Sequence, residues 1–169
     1  MVFRKAEEKD IPEMMGIIKD AVEFMRISGV NQWQDGYPNE DSIRGDIAAG
    51  VSYVMDDGGK IAAMEALIFE DEPSYGEIEG KWLNDEPYAV IHRSAVSGDR
   101  RGQGIAKLMF SKSEELCRKM GIKNIRIDTH RDNKAMQALL RSCGFEACGT
   151  IVVTSSESDK LRTGYQKVL

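Results

Sequence analysis

Apolar positions near the N-terminus recur at the spacing of a helix. After a strand-like run over residues 2–5, apolar side chains return every three or four residues, as expected for a helix with one buried face; they are Ile11, Met14, Met15, Ile18, Ala21, Val22 and Met25. Asp10 has the chemistry of an N-cap and Glu13 follows three residues later, so we expect a capped helix start there. Gly29 is the expected end of this helix.

The next runs predict a second helix and an antiparallel strand pair. Asn39 can cap a short helix that Gly50 would end. Two β-rich runs, 51–55 and 60–69, are joined by the sequence Asp-Asp-Gly-Gly, which is typical of a hairpin turn. An acidic segment over 70–87 follows, and it is longer than a hairpin connection needs.

The C-terminal half of the chain alternates strands and helices. Its periodicity predicts strands over 88–96, 124–130, 147–154 and 161–168, with helices over 106–120 and from residue 133 onward, and a polar turn over 155–160. The apolar face of the first of these helices would consist of Ile105, Leu108, Met109, Leu116 and Met120. The strands on either side of that helix should be parallel. Together the elements predict an α/β (α+β) fold with a mixed, mostly antiparallel sheet and helices on both faces.

A glycine-rich turn, Arg-Gly-Gln-Gly over residues 101–104, connects the strand over 88–96 to the following helix. Glycine lets the backbone approach a ligand closely, and unpaired amides at a helix start can together bind an anion such as pyrophosphate. The spacing excludes a P-loop, and Lys107 stands where a dinucleotide fingerprint requires its third glycine. Taken alone, the turn could also be a simple strand-to-helix connection.

Two stretches of the chain resemble one known family. Residues 101–106 match the form Arg/Gln-x-x-Gly-x-Gly/Ala, and residues 133–145 begin with an asparagine and end in Gly-Phe. These stretches resemble motifs A and B of the GNAT acyltransferase superfamily. The resemblance extends from Phe3 to the C-terminus and is most specific between His92 and Phe145.

The resemblance implies an acetyl-CoA site. It implies a sheet of about seven strands in which two parallel strands, ending near Val96 and Thr129, splay apart around the acyl donor. The pyrophosphate would bind the amides of Gln103 to Ala106, and Arg100 would assist. Asn133 and the strand edge at Ala95 and Val96 would contact the pantetheine arm. The cofactor-binding residues of the glycine motif would be Arg101, Gly102, Gln103, Gly104, Ile105, Ala106 and Lys107.

The resemblance also implies catalytic roles. His92 matches the position at which histidines of arylalkylamine acetyltransferases take the amine proton through water, and period-two alternation puts it on the face of Val90 and Ser94. A core histidine bonded to a neighbour is the alternative. Many family members carry a tyrosine acid where this chain has Leu140. His130, Tyr165 or water could replace that acid, and we favour water.

Composition restricts the class of protein. The chain has 169 residues with 41% hydrophobic content, which suits one domain over 1–169. It contains no apolar run of membrane-spanning length, and its N-terminus lacks a signal-peptide core, so we expect a cytoplasmic protein without a membrane partner. Three cysteines without paired CxxC spacing suggest reduced thiols and no metal site.

Charge and aromatic residues suggest the acceptor. A formal net charge of -5 disfavours nucleic acid as a partner, although residues 93–107 form a basic segment that one polyphosphate ligand would explain. Trp33 and Tyr37 lie in a loop that could contact the acceptor or cover the core. Together with the acidic residues Asp35, Glu77, Glu79 and Asp85, this loop suggests that the acceptor is a small cationic amine. The alternative for the acidic segment is a solvated loop without a ligand. An acyl-CoA sensor without turnover and a homodimer both stay open.

Overall fold

The computed structural model describes residues 1–154 and 159–169. Most of the predicted polar turn over 155–160 therefore lies outside the described residues. In the described part of the chain the four helices are α1 (Ile11–Ile27), α2 (Glu40–Ala48), α3 (Ile105–Lys119) and α4 (Lys134–Ser142). Its strands are β1 (Val2–Lys5), β2 (Ser52–Asp56), β3 (Ile61–Ile68), β4 (Glu79–Gly80), β5 (Ala89–Val96), β6 (Asn124–His130), β7 (Glu146–Val152) and β8 (Leu161–Val168).

The strands form a single mixed sheet in the order β1-β2-β3-β5-β6-β8-β7-β4. β5 and β6 are parallel, and the other pairs are antiparallel. The predicted fold class is confirmed. The described sheet has eight strands where about seven were expected, because the acidic segment contributes the two-residue strand β4.

Helices cover both faces of the sheet. Ala63 and Met64, neighbours on β3, point into different hydrophobic clusters because side chains alternate along a strand. The cluster of Ala63 includes Phe110 of α3 and Leu140 of α4. The cluster of Met64 includes Met14 of α1 and residues of α2. The sheet is therefore the middle layer between two helical layers.

The beginning of α1 differs from the prediction. Asp10 does not cap α1; its carboxylate accepts from the backbone amide of Glu7 at 2.8 Å and from Arg4. A turn of 3-10 helix over Glu8–Asp10 precedes α1, and Glu13 accepts from the amide of Ile61 instead of completing a capping box. The capping residue of α2 was predicted correctly.

The buried face of α3 also differs from the prediction. Ile105 and Met109 are buried as expected, but Leu108 is 41% exposed and Met120 54% exposed. The buried stripe continues at steps of four through Ser113 and then Cys117. Small or polar residues at those two positions hid this stripe from a pattern based on apolar side chains.

No helix in the described part of the chain, 1–154 and 159–169, is long and apolar enough to span a membrane.

Candidate active site

The parallel strands β5 and β6 part in the middle of the sheet. They pair from Ala89 opposite Ile125 to Ile91 opposite Ile127. Beyond this point β5 remains paired with β3 and β6 with β8. The two strands therefore diverge, as the resemblance implied, and a cleft opens between them.

A β-bulge shapes β5 where the strands part. On β3, Met64 and Ala66 are two positions apart, whereas their partners on β5, Ala95 and His92, are three positions apart. Arg93 adopts a left-handed backbone with φ of 53°, which costs energy for a residue with a Cβ. Its guanidinium is held by Asp46 at 2.6 and 2.8 Å.

The bulge resets the alternation of side chains on β5. Val90 packs in the cluster of Tyr75 and Trp82, on one face of the sheet. Val96 packs against the cluster of Ile91, on the other face, although strict alternation would group it with Val90. The period-two rule therefore holds from Val90 to His92 and fails beyond the bulge, so it does not assign Ser94 a face.

The cleft has a cavity volume of about 290 Å³. Phe24 and Arg101 line it on the side of the glycine loop, and Glu72 and Arg162 line it on the side of His92. Other predicted residues that line it are Trp33, Tyr37, Ala95, Val96 and Asn133.

The glycine loop has the geometry of an anion cradle. Gly102 and Gly104 have φ of 77° and 78°, and a Cβ built on either would meet only open space. Gly104 directly precedes α3, and no side chain in the described part of the chain caps that helix. The first amides of α3 can therefore bind an anion, for which the helix dipole adds attraction.

Of the basic residues near this loop, Arg101 lines the cleft. Its guanidinium lies 4.7 Å from the ring centroid of Phe24. Arg100 instead forms an ion pair with Asp57, and Lys107 is solvent-exposed on α3. Among the basic residues near the loop, Arg101 is therefore the one best positioned to contact a ligand in the cleft.

Asn133 caps α4 and also contacts a residue that the sequence did not indicate. Its Oδ1 accepts from the amide of Met136 at 3.1 Å, and its Nδ2 donates to Oε1 of Gln32 at 3.2 Å. The same Gln32 oxygen accepts from the amide of His130 and the hydroxyl of Thr129. Gln32 thus covers the end of β6, and no sequence signal links it to a strand about a hundred residues away.

His92 lies between two carboxylates in the cleft. Its Nε2 is 3.0 Å from Oε2 of Glu72, and its Nδ1 is 4.0 Å from Oδ1 of Asp128. The hydrogen bond from His92, helped by the backbone amide of Ser74, lowers the pKa of Glu72 to about 2. Because Glu72 is ionised at neutral pH, it accepts from Nε2–H, and the lone pair of neutral His92 is on Nδ1.

Tyr75 fixes the position of Asp128. Its hydroxyl donates to Oδ1 of Asp128 at 2.7 Å, and its ring is 2% exposed. Burial raises the pKa of Tyr75 well above its usual value, with the charge of Asp128 adding to the effect. Tyr75 therefore remains a hydrogen-bond donor that orients Asp128.

The acidic segment over 70–87 is more than a solvated loop, because it buries Tyr75 and Trp82 against the sheet and reaches the cleft with Glu72. The indole of Trp82 donates to the carbonyl of Tyr75 at 3.0 Å. The acids singled out in the sequence, Glu77, Glu79 and Asp85, are exposed and are not among the cleft-lining residues. The acids of the site are instead Glu72 and Asp128.

Trp33 and Tyr37 both form part of the cleft wall. Trp33 also packs against the cluster of α1 and α2, so its position is compatible with both alternatives for this residue. The hydroxyl of Tyr37 accepts from Nη1 of Arg93. The bulged arginine therefore ties the loop of Tyr37 to β5.

Three positions that bear on a general acid lie outside the described cleft lining. They are Leu140, where many family members have a tyrosine, and the two possible replacements, His130 and Tyr165. Leu140 and Tyr165 belong to the hydrophobic core, and burial raises the pKa of Tyr165. His130 is buried; its Nε2 is 2.9 Å from Asp159 and its Nδ1 accepts from the amide of Asp132. Both ring nitrogens of His130 therefore already have partners.

Within residues 1–154 and 159–169, no cluster of three or more His, Cys, Asp or Glu side chains could hold a metal ion.

A mixed sheet that opens between two parallel strands, beside a glycine loop at an uncapped helix start, is the arrangement that the resemblance to acetyltransferases implied. The chain belongs to the GNAT family: the model of the "Acetyltransferase (GNAT) family" matches residues 17–145. Members of this family transfer acetyl groups from acetyl-CoA.

Solved structures agree with this assignment. A GNAT-family acetyltransferase from Streptococcus agalactiae is 34% identical, with a TM-score of 0.88 over 99% of this chain and 95% of that chain. Two less similar structures support the fold alone. A ribosomal-protein-alanine N-acetyltransferase from Brucella melitensis is 21% identical, with a TM-score of 0.69 over 100% of both chains. The PaiA N-acetyltransferase from Thermoplasma acidophilum, in complex with coenzyme A, is 13% identical, with a TM-score of 0.74 over 99% of this chain and 98% of that chain. None of the curated proteins matches the chain.

Proposed function

We propose that this protein transfers an acetyl group from acetyl-CoA to the primary amine of a small acceptor by direct attack, with residues 1–169 acting as one domain. The observation that carries the proposal is the position of His92. It lines the cleft where β5 and β6 part, and it is hydrogen-bonded to an ionised Glu72.

The cleft suits acetyl-CoA as the acyl donor. The amides of Gln103 to Ala106 would bind the pyrophosphate, Arg101 would add a positive charge, and Asn133 with the edge at Ala95 and Val96 would face the pantetheine arm. The open space above both loop glycines supports this assignment. When bound, acetyl-CoA supplies a thioester carbonyl that an amine can attack.

The acceptor amine must lose a proton before it attacks, since an alkylamine with a pKa of about 10 is mostly protonated at neutral pH. The lone pair on Nδ1 of His92 can take this proton, directly or through a water. Glu72 on the opposite ring nitrogen then stabilises the imidazolium. Asp128, 4.0 Å from Nδ1, can hold the ammonium form of the acceptor beforehand.

We assign protonation of the departing thiolate to water. A thiol with a pKa of about 8.5 is a tolerable leaving group without help. The position of the family's usual tyrosine, Leu140, is in the core. Tyr165 and His130 lie outside the described cleft lining, which supports the same assignment.

A panel of amines with acetyl-CoA, assayed by release of CoA thiol, tests the proposal. We expect thermal stabilisation by acetyl-CoA together with turnover of at least one class of small amine. Stabilisation without turnover across the whole panel would contradict the enzyme proposal and favour an acyl-CoA sensor. No stabilisation at millimolar acetyl-CoA would contradict the donor assignment itself.

A further inference from the structure

Arg162, near the beginning of β8, is a buried cation that lines the cleft. Its side chain is 5% exposed. Nη1 donates to the backbone carbonyls of Asp159 at 2.7 Å and Leu161 at 3.0 Å, which fixes the plane of the guanidinium. Within the described part of the chain, neither Nε nor Nη2 has a hydrogen-bond partner.

The charges around Arg162 do not satisfy these donors. Burial lowers the pKa of Arg162, and the carboxylates of Asp128, Asp159 and Asp35 oppose this effect. Arginine remains cationic despite such shifts. Oδ2 of Asp128 lies 4.0 Å from Nε of Arg162, which is too long for a hydrogen bond.

The Nε–Nη2 edge of Arg162 is open to the cleft, where water or a ligand can bind it. The Nε–Nη2 edge is one of the two edges with which arginine binds a carboxylate through two parallel hydrogen bonds. Since Arg162 lines the cleft, this edge is available to a carboxylate there.

Asp128 separates Arg162 from the proposed base. Its Oδ1 lies 4.0 Å from Nδ1 of His92, and its Oδ2 lies 4.0 Å from Nε of Arg162. The base and the guanidinium thus stand on either side of one carboxylate group. An amine at His92 and an anionic group at Arg162 would be only a few bonds apart in the same molecule.

We infer that the acceptor is an amino carboxylate, a free amino acid in its zwitterionic form, whose carboxylate binds the Nε–Nη2 edge of Arg162. The inference rests on the proposed acetyl transfer and specifies its acceptor. Glu72 and Asp128 lie on the ammonium side of the acceptor. This replaces the small cationic amine expected from the sequence, because the exposed acids behind that expectation do not line the described cleft.

The transfer balances as follows. The ammonium of the amino acid gives one proton to His92, and its nitrogen then forms a bond to the acetyl carbonyl carbon. The C–S bond of the thioester breaks, and the sulfur keeps the electron pair. The second proton lost from nitrogen passes through water to solvent or to the thiolate. The products are an N-acetyl amino acid and CoA.

Matched pairs of acceptors test the inference on the unmodified protein. Each pair consists of an amino acid and its decarboxylated amine: tyrosine with tyramine, lysine with cadaverine, histidine with histamine, and methionine with 3-(methylthio)propylamine. We expect kcat/KM to be at least about tenfold higher for the amino acid in the best pair, the lower range for one charge-assisted contact. Equal or faster transfer to the decarboxylated amines would overturn the inference while leaving the proposed transfer intact.

Substitution of Arg162 gives a second test. Arg162→Gln should raise KM for the amino acid by about tenfold or more and leave KM for the decarboxylated partner unchanged. Arg162→Lys keeps the charge but loses the planar fork, so its KM should be intermediate. Arg131→Gln, which removes an exposed arginine near Asp159, is the matched control and should change neither KM. Equal KM increases for both members of a pair would indicate a structural role and overturn the inference.

The failures can be told apart. Silence with every acceptor while acetyl-CoA still stabilises the protein contradicts the proposed transfer, and the amino-acid inference falls with it. Turnover without preference for a carboxylate contradicts the amino-acid inference alone. If Arg162→Gln does not fold, the matched pairs on the unmodified protein still decide the question.

Discussion

In the proposed function, the two ends of the cleft recognise their ligands by different means. The glycine-loop end comes from one contiguous segment, 101–107, and offers backbone amides at the start of α3. The acceptor end is assembled from side chains on four separate segments, which contribute Glu72, His92, Asp128 and Arg162. Recognition by backbone requires a local sequence pattern, whereas recognition by side chains requires only that the fold bring them together. The donor end was therefore readable in the sequence, and most of the acceptor end was not.

The largest effect is expected at the acceptor end. His92→Gln removes the proposed base, so kcat/KM should fall by about a hundredfold or more, the range of general-base contributions. Stabilisation by acetyl-CoA should be unchanged, because the substitution leaves the glycine loop intact. Steady-state kinetics and thermal shift check both parts. If kcat/KM and the acidic limb of its pH profile are unchanged by the substitution, His92 is not the base, and the acceptor end does not carry the chemistry in this way.

Beneath the donor end, Glu65 of β3 should make stability depend on pH. Its side chain is fully buried, Ser113 of α3 donates to it, and Oε2 lacks a hydrogen-bond partner in the described part of the chain. Burial raises the pKa of Glu65 from 4.5 to about 7. The folded protein therefore holds this proton when the unfolded chain has lost it. Stability should fall as the pH rises from about 4.5 to about 7, by about 3 kcal/mol in total.

Glu65→Gln should remove this dependence. The variant should be more stable than the unmodified protein at pH 8, and the gain should disappear near pH 4.5. Urea unfolding at several pH values measures it. Glu115→Gln, at an exposed position of α3, is the control and should leave the pH dependence in place. A parallel fall in stability for Glu65→Gln and the unmodified protein would show that other groups cause it.

Leu140→Tyr tests whether an acid can be added between the two ends. Leu140 is fully buried in the core beside Phe110 and Phe145. The larger side chain should overpack this core and lower stability by about 1–3 kcal/mol. We expect no gain in kcat at high pH. Unfolding curves and a pH–rate profile measure both quantities, and a stable variant with higher kcat would show that position 140 reaches the reacting groups.

The smallest effect is expected at the glycine loop. Gly104→Ala places a Cβ on a left-handed residue, at a cost of about 1–2 kcal/mol, although the Cβ itself meets open space. We expect weaker acetyl-CoA binding by about five- to thirtyfold and little change in KM for the acceptor. Gly58→Ala, at a hairpin turn with similar φ, is the control for strain alone. Titration calorimetry measures the affinity of each variant for acetyl-CoA. Equal affinities for both variants would contradict the proposed anion cradle.

Periodicity and turn residues were enough to predict the helices, the long strands and the sheet class. The glycine loop and the capping asparagine, Asn133, were also visible, because each is defined by its immediate neighbours. Asp128 and Arg162 were not, since their significance depends on pairing between β6 and β8. Glu72 was hidden among other acids of its segment, and only the burial of Tyr75 nearby brings it to His92.

The bulge at Arg93 has a consequence for insertions and deletions in β5. Residues before it and after it obey opposite odd–even rules, since Ile91 and Val96 share one face of the sheet. Deleting one residue at the bulge would restore regular alternation and leave Ala95 opposite Met64 and Val96 opposite Ala63, so that both would keep their present layers. A deletion elsewhere in β5 would instead force a one-residue shift of register, which turns side chains to the opposite face of the sheet. The length of this strand, and not only its composition, is therefore under structural constraint.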